Sequence, residues 1–454
     1  MTRVVSTSPQ RPSDVVVDAP ATSPAEVAEA VRRARRAQRR WARVPATERA
    51  VALGSVADSL ANQEKELTSL MVREVGKPAG EAAGEVARAV AILRYYAQQC
   101  YDPVGQTYPA SRGLSFTVRR PRGAAGLITP WNFPLAIPVW KAAPALAYGN
   151  AALVKPSPDA TACALRLAEL VAGHVPDSLF TVLPGDAETG RALVDVVDLV
   201  SFTGSGAVGR RVAMAAAERG IPAQCEMGGL SASIVLPDAD LDHAAASIAY
   251  GAMGFAGQKC TATKRVIVVG DAESFAEALR ERVLGLGYGD PAEDGVVVGP
   301  VINEVARQRV VDAVAEAERA GGRLLTGKEP ADGWFVRPTV VTGLGAQERL
   351  NREEVFGPIC TLISASNVDH ALTMANDSTY GLATALYTSD LDAALSYVDE
   401  CASGMVKINA PTSGVDFHLP FGGEKKSGCG GKEQGKAALQ FYTSSRTVQI
   451  VAIR

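Results

Sequence analysis

The chain has 454 residues, 47% hydrophobic and 21% charged, an ordinary soluble balance at a length too great for one core, so two or three domains are expected. Its net charge of −3 offers no field to gather nucleic acid or an anionic membrane surface. Seven scattered cysteines with no CxxC pair indicate neither a disulfide framework nor a zinc ribbon and fit a reducing cytoplasm.

Residues Met1 to Pro20 hold no apolar stretch that could act as a secretion signal. No uninterrupted apolar run reaches the about 18 residues of a membrane span. With four histidines and no HExxH, no metal site is expected. Residues 1–22 read as loop, or a short strand over Asp14 to Val17. Ser23-Pro24-Ala25-Glu26 is a helix start: a capping hydroxyl, proline at the first helical position, and glutamate three residues on. The helix that follows carries seven arginines between Arg32 and Arg43. Val27, Val31, Ala34 and Trp41 share one face at helical spacing, so the arginines read as a solvated face, not a nucleic-acid patch. Two further helices are predicted over Ala46–Val75 and Ala79–Gln99.

Ser115–Pro121 reads as a strand ending in a turn. After Gly126–Pro134 come a helix, Ile137–Tyr148, and a buried strand, Ala151–Val154, that ends at Lys155-Pro156-Ser157. Helix Ala160–Ala172, strand Leu179–Leu183, helix 188–194, strand Leu199–Thr203 and helix 207–219 follow. Such alternation means βαβ units and a parallel sheet covered on both faces. Gly204-Ser205-Gly206-Ala207-Val208-Gly209 is a GxGxxG between a strand and a helix, where glycines let backbone N–H groups approach a pyrophosphate. Glu226, 22 residues after Gly204, would fit the ribose-binding acid of such a site.

Phe255-Ala256-Gly257-Gln258-Lys259-Cys260-Thr261-Ala262-Thr263 sets one thiol among small, polar and cationic residues. An inert thiol wants apolar neighbours. A nucleophilic one wants a nearby cation or helix end that lowers its pKa. Local residues alone leave both readings open. Beyond it, strand Arg265–Val269, helices 272–284 and 303–320, strands near Arg323–Leu325 and Arg337–Val341, and strand Ile359–Ser364 precede helix 367–376, strand Ala383–Tyr387, helix 391–402 and strand Gly404–Ile408. This reads as a second α/β domain. A glycine-rich loop (Phe421 to Gly431), a short helix (Glu433 to Tyr442) and a last strand, Thr447–Ile453, complete the chain.

Phe-x-Gly-Gln-x-Cys resembles the active-site cysteine segment of the NAD(P)-dependent aldehyde dehydrogenase superfamily, and further segments resemble that family in order from about residue 10 to the C-terminus. Ile128-Thr129-Pro130-Trp131-Asn132-Phe133-Pro134 is similar to its oxyanion-stabilising loop, which makes Asn132 the donor and Thr129, Pro130 and Trp131 cofactor neighbours. Lys155-Pro156-Ser157 resembles the adenosine-ribose site, with Lys155 and Ser157 the ligands. Phe202-Thr203-Gly204-Ser205 resembles the pyrophosphate site, so Gly204, Ser205 and Gly209 are assigned there. Glu226-Met227-Gly228-Gly229 resembles the Glu-Leu-Gly-Gly segment, which makes Glu226 the general base, 34 residues before Cys260, and puts Met227 and Gly228 beside the cofactor. Glu353–Pro358 resembles the nicotinamide-ribose site, with Glu354 on the ribose and Phe356 near the nicotinamide. Pro420–Gly423 and Lys426-Ser427-Gly428 resemble the substrate-side loop.

The resemblance implies two Rossmann-type α/β domains with a small β oligomerisation element: cofactor-binding domain 1–102 and 122–226, catalytic domain 227–432, oligomerisation element 103–121 and 433–454. It implies oxidation of a small-molecule aldehyde by NADP or NAD, without metal, in a homodimer or homotetramer. NADP is slightly favoured, because Pro158 stands where many NAD-specific members carry a glutamate. Gly257–Thr263 and Gly414-Val415-Asp416-Phe417-His418 look most like the 2-oxoglutarate semialdehyde (2,5-dioxopentanoate) and succinate semialdehyde members. Phe133, Trp140, Phe417 and Phe421 suggest apolar pocket walls with Thr261 beside them. Lys259 and His418 could meet a substrate carboxylate or phosphonate, although Lys259 could equally point to solvent. A neutral or cationic aldehyde is the alternative substrate, and a cofactor-independent cysteine hydrolase the alternative class. Leu230-Ser231-Ala232 departs from the family's lysine-asparagine-proline, and the N-terminus lacks about one strand pair.

Overall fold

The computed structural model describes residues 2–102, 104–327 and 331–451. Residues 1–22, read as loop or a short strand over Asp14 to Val17, contain two strands, the second of which includes that stretch. Strands β1 (Arg3–Ser8) and β2 (Arg11–Pro20) pair as an antiparallel hairpin. Its inward side is partly polar: Ser6 and Ser8 are buried with Val4, and Ser6 Oγ donates to Glu74 Oε1 at 2.8 Å. An apolar alternation test therefore passes over it.

Helix α1 (Pro24–Trp41) starts with the expected capping box, Ser23 and Glu26 bonding each other's ends. Val27, Ala30, Val31, Ala34 and Trp41 are buried. Arg35 leaves the solvated stripe to pair with Asp198 at 2.6 Å. The stretch Ala46–Val75 is two helices, α2 (Ala46–Asn62) and α3 (Glu64–Val75), broken at Gln63 without any glycine or proline. Helix α4 (Ala79–Gln99) follows.

The first sheet contains β5 (Ala124–Ile128), β6 (Ala151–Lys155), β7 (Phe180–Val182), β8 (Leu199–Thr203) and β9 (Ala223–Glu226), after the short β3 (Thr107–Tyr108) and β4 (Leu114–Pro121), which lie elsewhere. The parallel order is β9-β8-β5-β6-β7, with Gly428–Cys429 added antiparallel beside β9. Winding reverses between β5 and β8. In a doubly wound sheet, ligands bind outside the carboxyl ends of the strands at that point. Between these strands lie α5 (Ala136–Ala147), α6 (Thr161–Val171), α7 (Ala187–Val194) and α8 (Gly206–Glu218).

A second sheet is built on β10 (Ser231–Val235) and β11 (Thr263–Val269). Its order is Arg323–Leu324, Thr339–Thr342, Ile359–Ala365, β11, β10, Ala383–Tyr387, Met405–Ile408, parallel except at its first strand. Only Met227–Leu230 separate β9 from β10. The chain thus passes directly from the carboxyl edge of one sheet to the amino edge of the other. Cys260 lies just before β11, on that same amino edge.

The last strand is Thr443–Ile450, longer at its start than expected. It pairs antiparallel with β4 along its whole length, and β3 covers the far side of β4. The expected end of this strand, Ala452 and Ile453, lies outside the described residues. Among the described residues no helix is long and apolar enough to cross a membrane, and no group of three or more His, Cys, Asp or Glu side chains could hold a metal.

Candidate active site

The thiol's position is set by an unusual backbone. After helix α9 (Leu241–Met253), Phe255, Ala256 and Gly257 have φ of 53°, 53° and 62°, a left-handed run that side chains other than glycine resist. Gly257 is the residue that must be glycine: a Cβ there would lie 2.2 Å from the Gly357 carbonyl oxygen. Gln258, fully buried, nails the turn in place. Its Nε2 donates to the carbonyls of Phe255 (3.2 Å) and Pro300 (3.3 Å), and its Oε1 accepts from Ile302 N–H (2.9 Å). Lys264 Nζ donates to the Gly257 and Gly357 carbonyls at 3.0 and 2.7 Å.

Asn132 is buried, and its Nδ2 donates to the Gln258 carbonyl at 2.9 Å. This ties the loop after β5 to the cysteine turn across the two sheets, and leaves the amide one further N–H. The loop is held from behind. Glu85 Oε1 accepts from Leu135 and Ala136 N–H at 2.9 Å each, at the start of α5. Glu85 also pairs with Lys77, and both are buried. Lys77 Nζ lies 3.9 Å from the Phe133 ring centroid and 4.7 Å from that of Phe255. Phe133 is thus half-buried against structure, and Trp131 makes edge contacts with Phe255 and Phe356, at 6.3 and 5.7 Å.

Cys260 is half-buried and packs on Leu382, Ala383, Met405, Val415 and Phe421. Burial pushes its thiol up to about 12, with Glu354 and Glu226 adding repulsion against a thiolate. Glu226, at the end of β9, is 4% exposed and accepts from Gly423 N–H at 3.2 Å. Burial raises its pKa well above the carboxylate range, and Glu433 raises it further, while Lys141 and the Gly423 N–H oppose the rise. The ribose-acid reading of Glu226 does not suit this enclosed place.

Below Glu226 lies a buried polar cluster that the sequence reading missed. Lys141 pairs with Glu433, and its Nζ donates to Ser201 Oγ at 2.7 Å. Trp140 Nε1 donates to Glu433 Oε2 at 2.6 Å, and the Trp140 and Phe421 rings lie 5.5 Å apart. A lysine in the otherwise apolar run of α5 was the available signal, since buried charges need partners.

The cofactor side is polar and partly unsatisfied. Thr129 and Thr203, at the carboxyl ends of β5 and β8, have buried Oγ1 atoms with no hydrogen-bond partner. Helix α8 opens at Ser205 with no side-chain cap, so its N-terminal N–H groups are free for an anion. Lys155, at the end of β6, is buried and donates to the Gly185 carbonyl at 3.2 Å; burial brings its pKa down to about 8. Thr129, Thr203 and the α8 N-terminus stand at the carboxyl ends of β5 and β8, where the winding reverses, and fit a dinucleotide. Gly209 serves packing, because a Cβ there would lie 2.6 Å from Met227 Sδ. Glu354 accepts from Gly229 N–H at 3.3 Å, and a Cβ on Gly228 would meet Glu354 Oε2 at 1.8 Å. Burial lifts Glu354 to about 7. Ser157 Oγ lies 3.5 Å from Asp159 Oδ2.

On the substrate side, Lys259 reaches neither solvent nor the thiol. It is buried, donates to Glu81 Oε1 of α4 at 2.7 Å, and lies over the Tyr250 ring. Thr261 is buried, with its carbonyl on Thr412 Oγ1. Phe417 packs on Tyr95 at 5.8 Å, and His418 is exposed beside Phe417. At the family departure, the Leu230 carbonyl accepts from Arg265, and Ser231 Oγ is buried without a partner.

A family model described as aldehyde dehydrogenase family matches residues 2–448. The chain belongs to that family. It is 37% identical to the alpha-ketoglutaric semialdehyde dehydrogenase of Bacillus subtilis (strain 168), across 97% of this chain and 93% of that one. It is 38% identical to the alpha-ketoglutarate semialdehyde dehydrogenase of Haloferax volcanii, across 97% and 94%. A crystal structure of betaine aldehyde dehydrogenase from Staphylococcus aureus in complex with NAD+ matches with a TM-score of 0.95 at 29% identity, covering 98% of this chain and 91% of that one. The protein is therefore an NAD(P)-dependent aldehyde dehydrogenase, as its motifs imply, with the family's α/β fold.

Proposed function

We propose that this aldehyde dehydrogenase oxidises an acidic semialdehyde to the dicarboxylic acid, with Cys260 as nucleophile, Asn132 as oxyanion donor and Glu226 as general base. Cys260 sulfur bonds the aldehyde carbon, and the carbonyl oxygen becomes an oxyanion held by the Asn132 amide and the Cys260 backbone N–H. The carboxyl ends of β5 and β8 and the N-terminus of α8 would hold the nicotinamide nucleotide, which when bound would supply the hydride acceptor. The thioester left on Cys260 is hydrolysed by water that Glu226 deprotonates, and the acid departs as the thiol is restored.

The observation that carries this reading is the Asn132–Gln258 hydrogen bond. It ties an amide donor to the carbonyl two residues before the thiol, in a site whose proposed base has its pKa raised by burial. The acidic substrate class rests on the two semialdehyde relatives. Thr129, Thr203 and the α8 N-terminus are the proposed nucleotide contacts, with Lys155, Ser157, Glu354 and Phe356 at its two ends. NADP or NAD is accepted; Asp159 beside Ser157 favours NAD more than Pro158 alone suggests. A homodimer or homotetramer through the open edge of strand Thr443–Ile450, and a cytoplasmic setting for the free thiols, belong to the same proposal.

Rapid-mixing kinetics of Glu226→Gln test the roles. One equivalent of reduced nucleotide should form in a burst, followed by turnover slowed by about 10²-fold or more. Steady-state acid release at the wild-type rate would refute the assignment of Glu226. Loss of the burst itself would mean that Glu226 acts before hydride transfer.

A further inference from the structure

Arg88 of α4 carries a half-buried guanidinium for which the enzyme provides too few acceptors. Among the described residues its one hydrogen bond runs from Nη2 to Gln434 Oε1 at 3.2 Å, and it belongs to no ion pair. A guanidinium offers five N–H donors, and a desolvated cation without an anion is costly. Burial lowers the Arg88 pKa, opposed by more distant attraction from Glu85 and Asp416. Glu85 is already engaged by Lys77, and Asp416 is exposed. Gln434 is 1% exposed, and its Nε2 is buried with no partner. With Oε1 turned to Arg88, that amide nitrogen is a further orphan donor at the same place.

This place adjoins the aldehyde pocket. Gln434 follows Glu433, whose carboxylate holds Trp140, and Trp140 packs on Phe421, a member of the apolar cluster against which Cys260 packs. Gly435 N–H donates to the Phe417 carbonyl at 3.3 Å. Phe417 packs on Tyr95, which stands two helical turns from Arg88 on α4. Lys259, the cation expected to meet a substrate carboxylate, is spent on Glu81.

We propose that Arg88, with the Gln434 amide, is the specificity-determining anion anchor of the pocket and receives the carboxylate at the far end of an acidic aldehyde. This rests on the dehydrogenase reading and names the group that gives it an acidic substrate. Arginine suits the task because its planar fork matches a carboxylate and keeps its charge.

The test compares succinate semialdehyde and glutarate semialdehyde with butanal and pentanal, on the intact oligomer with saturating nucleotide. Arg88→Leu should lower kcat/KM for the acidic pair by about 10- to 100-fold, mainly through KM, as expected for a charged hydrogen bond. The same change should alter the neutral pair by less than about threefold, which also serves as the folding control. Arg88→Lys should recover part of the acidic activity. Should Arg88→Leu fold poorly, Arg88→Lys and inhibition by succinate or glutarate decide: the lysine variant must weaken inhibition by the dicarboxylates and leave butanal turnover intact. Equal losses on acidic and neutral aldehydes, or undiminished dicarboxylate inhibition, would overturn the anchor while leaving the dehydrogenase reading standing. A wild-type enzyme that oxidises none of the four aldehydes would instead count against that reading.

Discussion

Glu85→Gln should strand Lys77 behind the loop that carries Asn132, weakening the loop's support without touching the substrate. The amide oxygen can still accept from Leu135 and Ala136, which now donate to Glu85 Oε1 at 2.9 Å. What disappears is the counter-charge of Lys77, which is 0% exposed and, among the described residues, then keeps the faces of Phe133 and Phe255. Stranding one member of a buried pair costs about 3–5 kcal/mol, and the cation–π contacts, present before and after the change, do not offset it. A loss of about 3–5 kcal/mol in urea unfolding is therefore expected. A displacement of the loop by about 1 Å would lower kcat/KM by about 10–10². Lys77→Met together with Glu85→Gln should recover most of the stability, since replacing both charges is often neutral. If the single variant were as stable as wild type, or the double variant worse than either single, the pair would not be holding this loop.

Three further outcomes are expected. Asn132→Ala should lower kcat/KM by about 10²–10³ with nucleotide affinity unchanged by fluorescence titration; a loss confined to KM would argue against an oxyanion role. The pKa of Glu226 is raised by burial and Glu433, and a base works only when ionised, so kcat should fall with decreasing pH at a midpoint above the ordinary carboxylate range. Lys141→Met, which removes the cation opposing that rise, should move the midpoint to still higher pH; a limb that stayed in place would disconnect Lys141 from Glu226. Ile450→Glu, on the open side of the last strand where Ile450 is 55% exposed, should shift light scattering towards a smaller species, and an unchanged mass would place the interface elsewhere.

The parallel sheets were legible because their strands are continuous apolar runs such as Val266–Val269, punctuated by helices of period 3.6. The thiol, the Asn132 loop and Glu226 could be singled out as candidates because each lies in a short segment with its own chemistry. Side-chain direction was not. Lys259 is turned away from the pocket by Glu81, 178 positions earlier, and Arg88 meets Gln434 across 346. No local pattern encodes such meetings. The N-terminal hairpin was legible only as an alternative short strand over Asp14 to Val17, within β2, because its inward face buries serines, and the break at Gln63 escaped because no residue there is a known helix breaker.

The four-residue passage Met227–Leu230 has a consequence for anyone wishing to exchange parts between relatives. One flank of it is the last strand of the nucleotide-side sheet, bearing Glu226. The other leads into the sheet on whose edge the thiol sits, and Gly228 is pressed against Glu354 along the way. There is no slack in which to hide a splice. A chimera joined at this seam would take Glu226 from one parent and Glu354, against which Gly228 packs, from another, so crossovers belong in the outer loops.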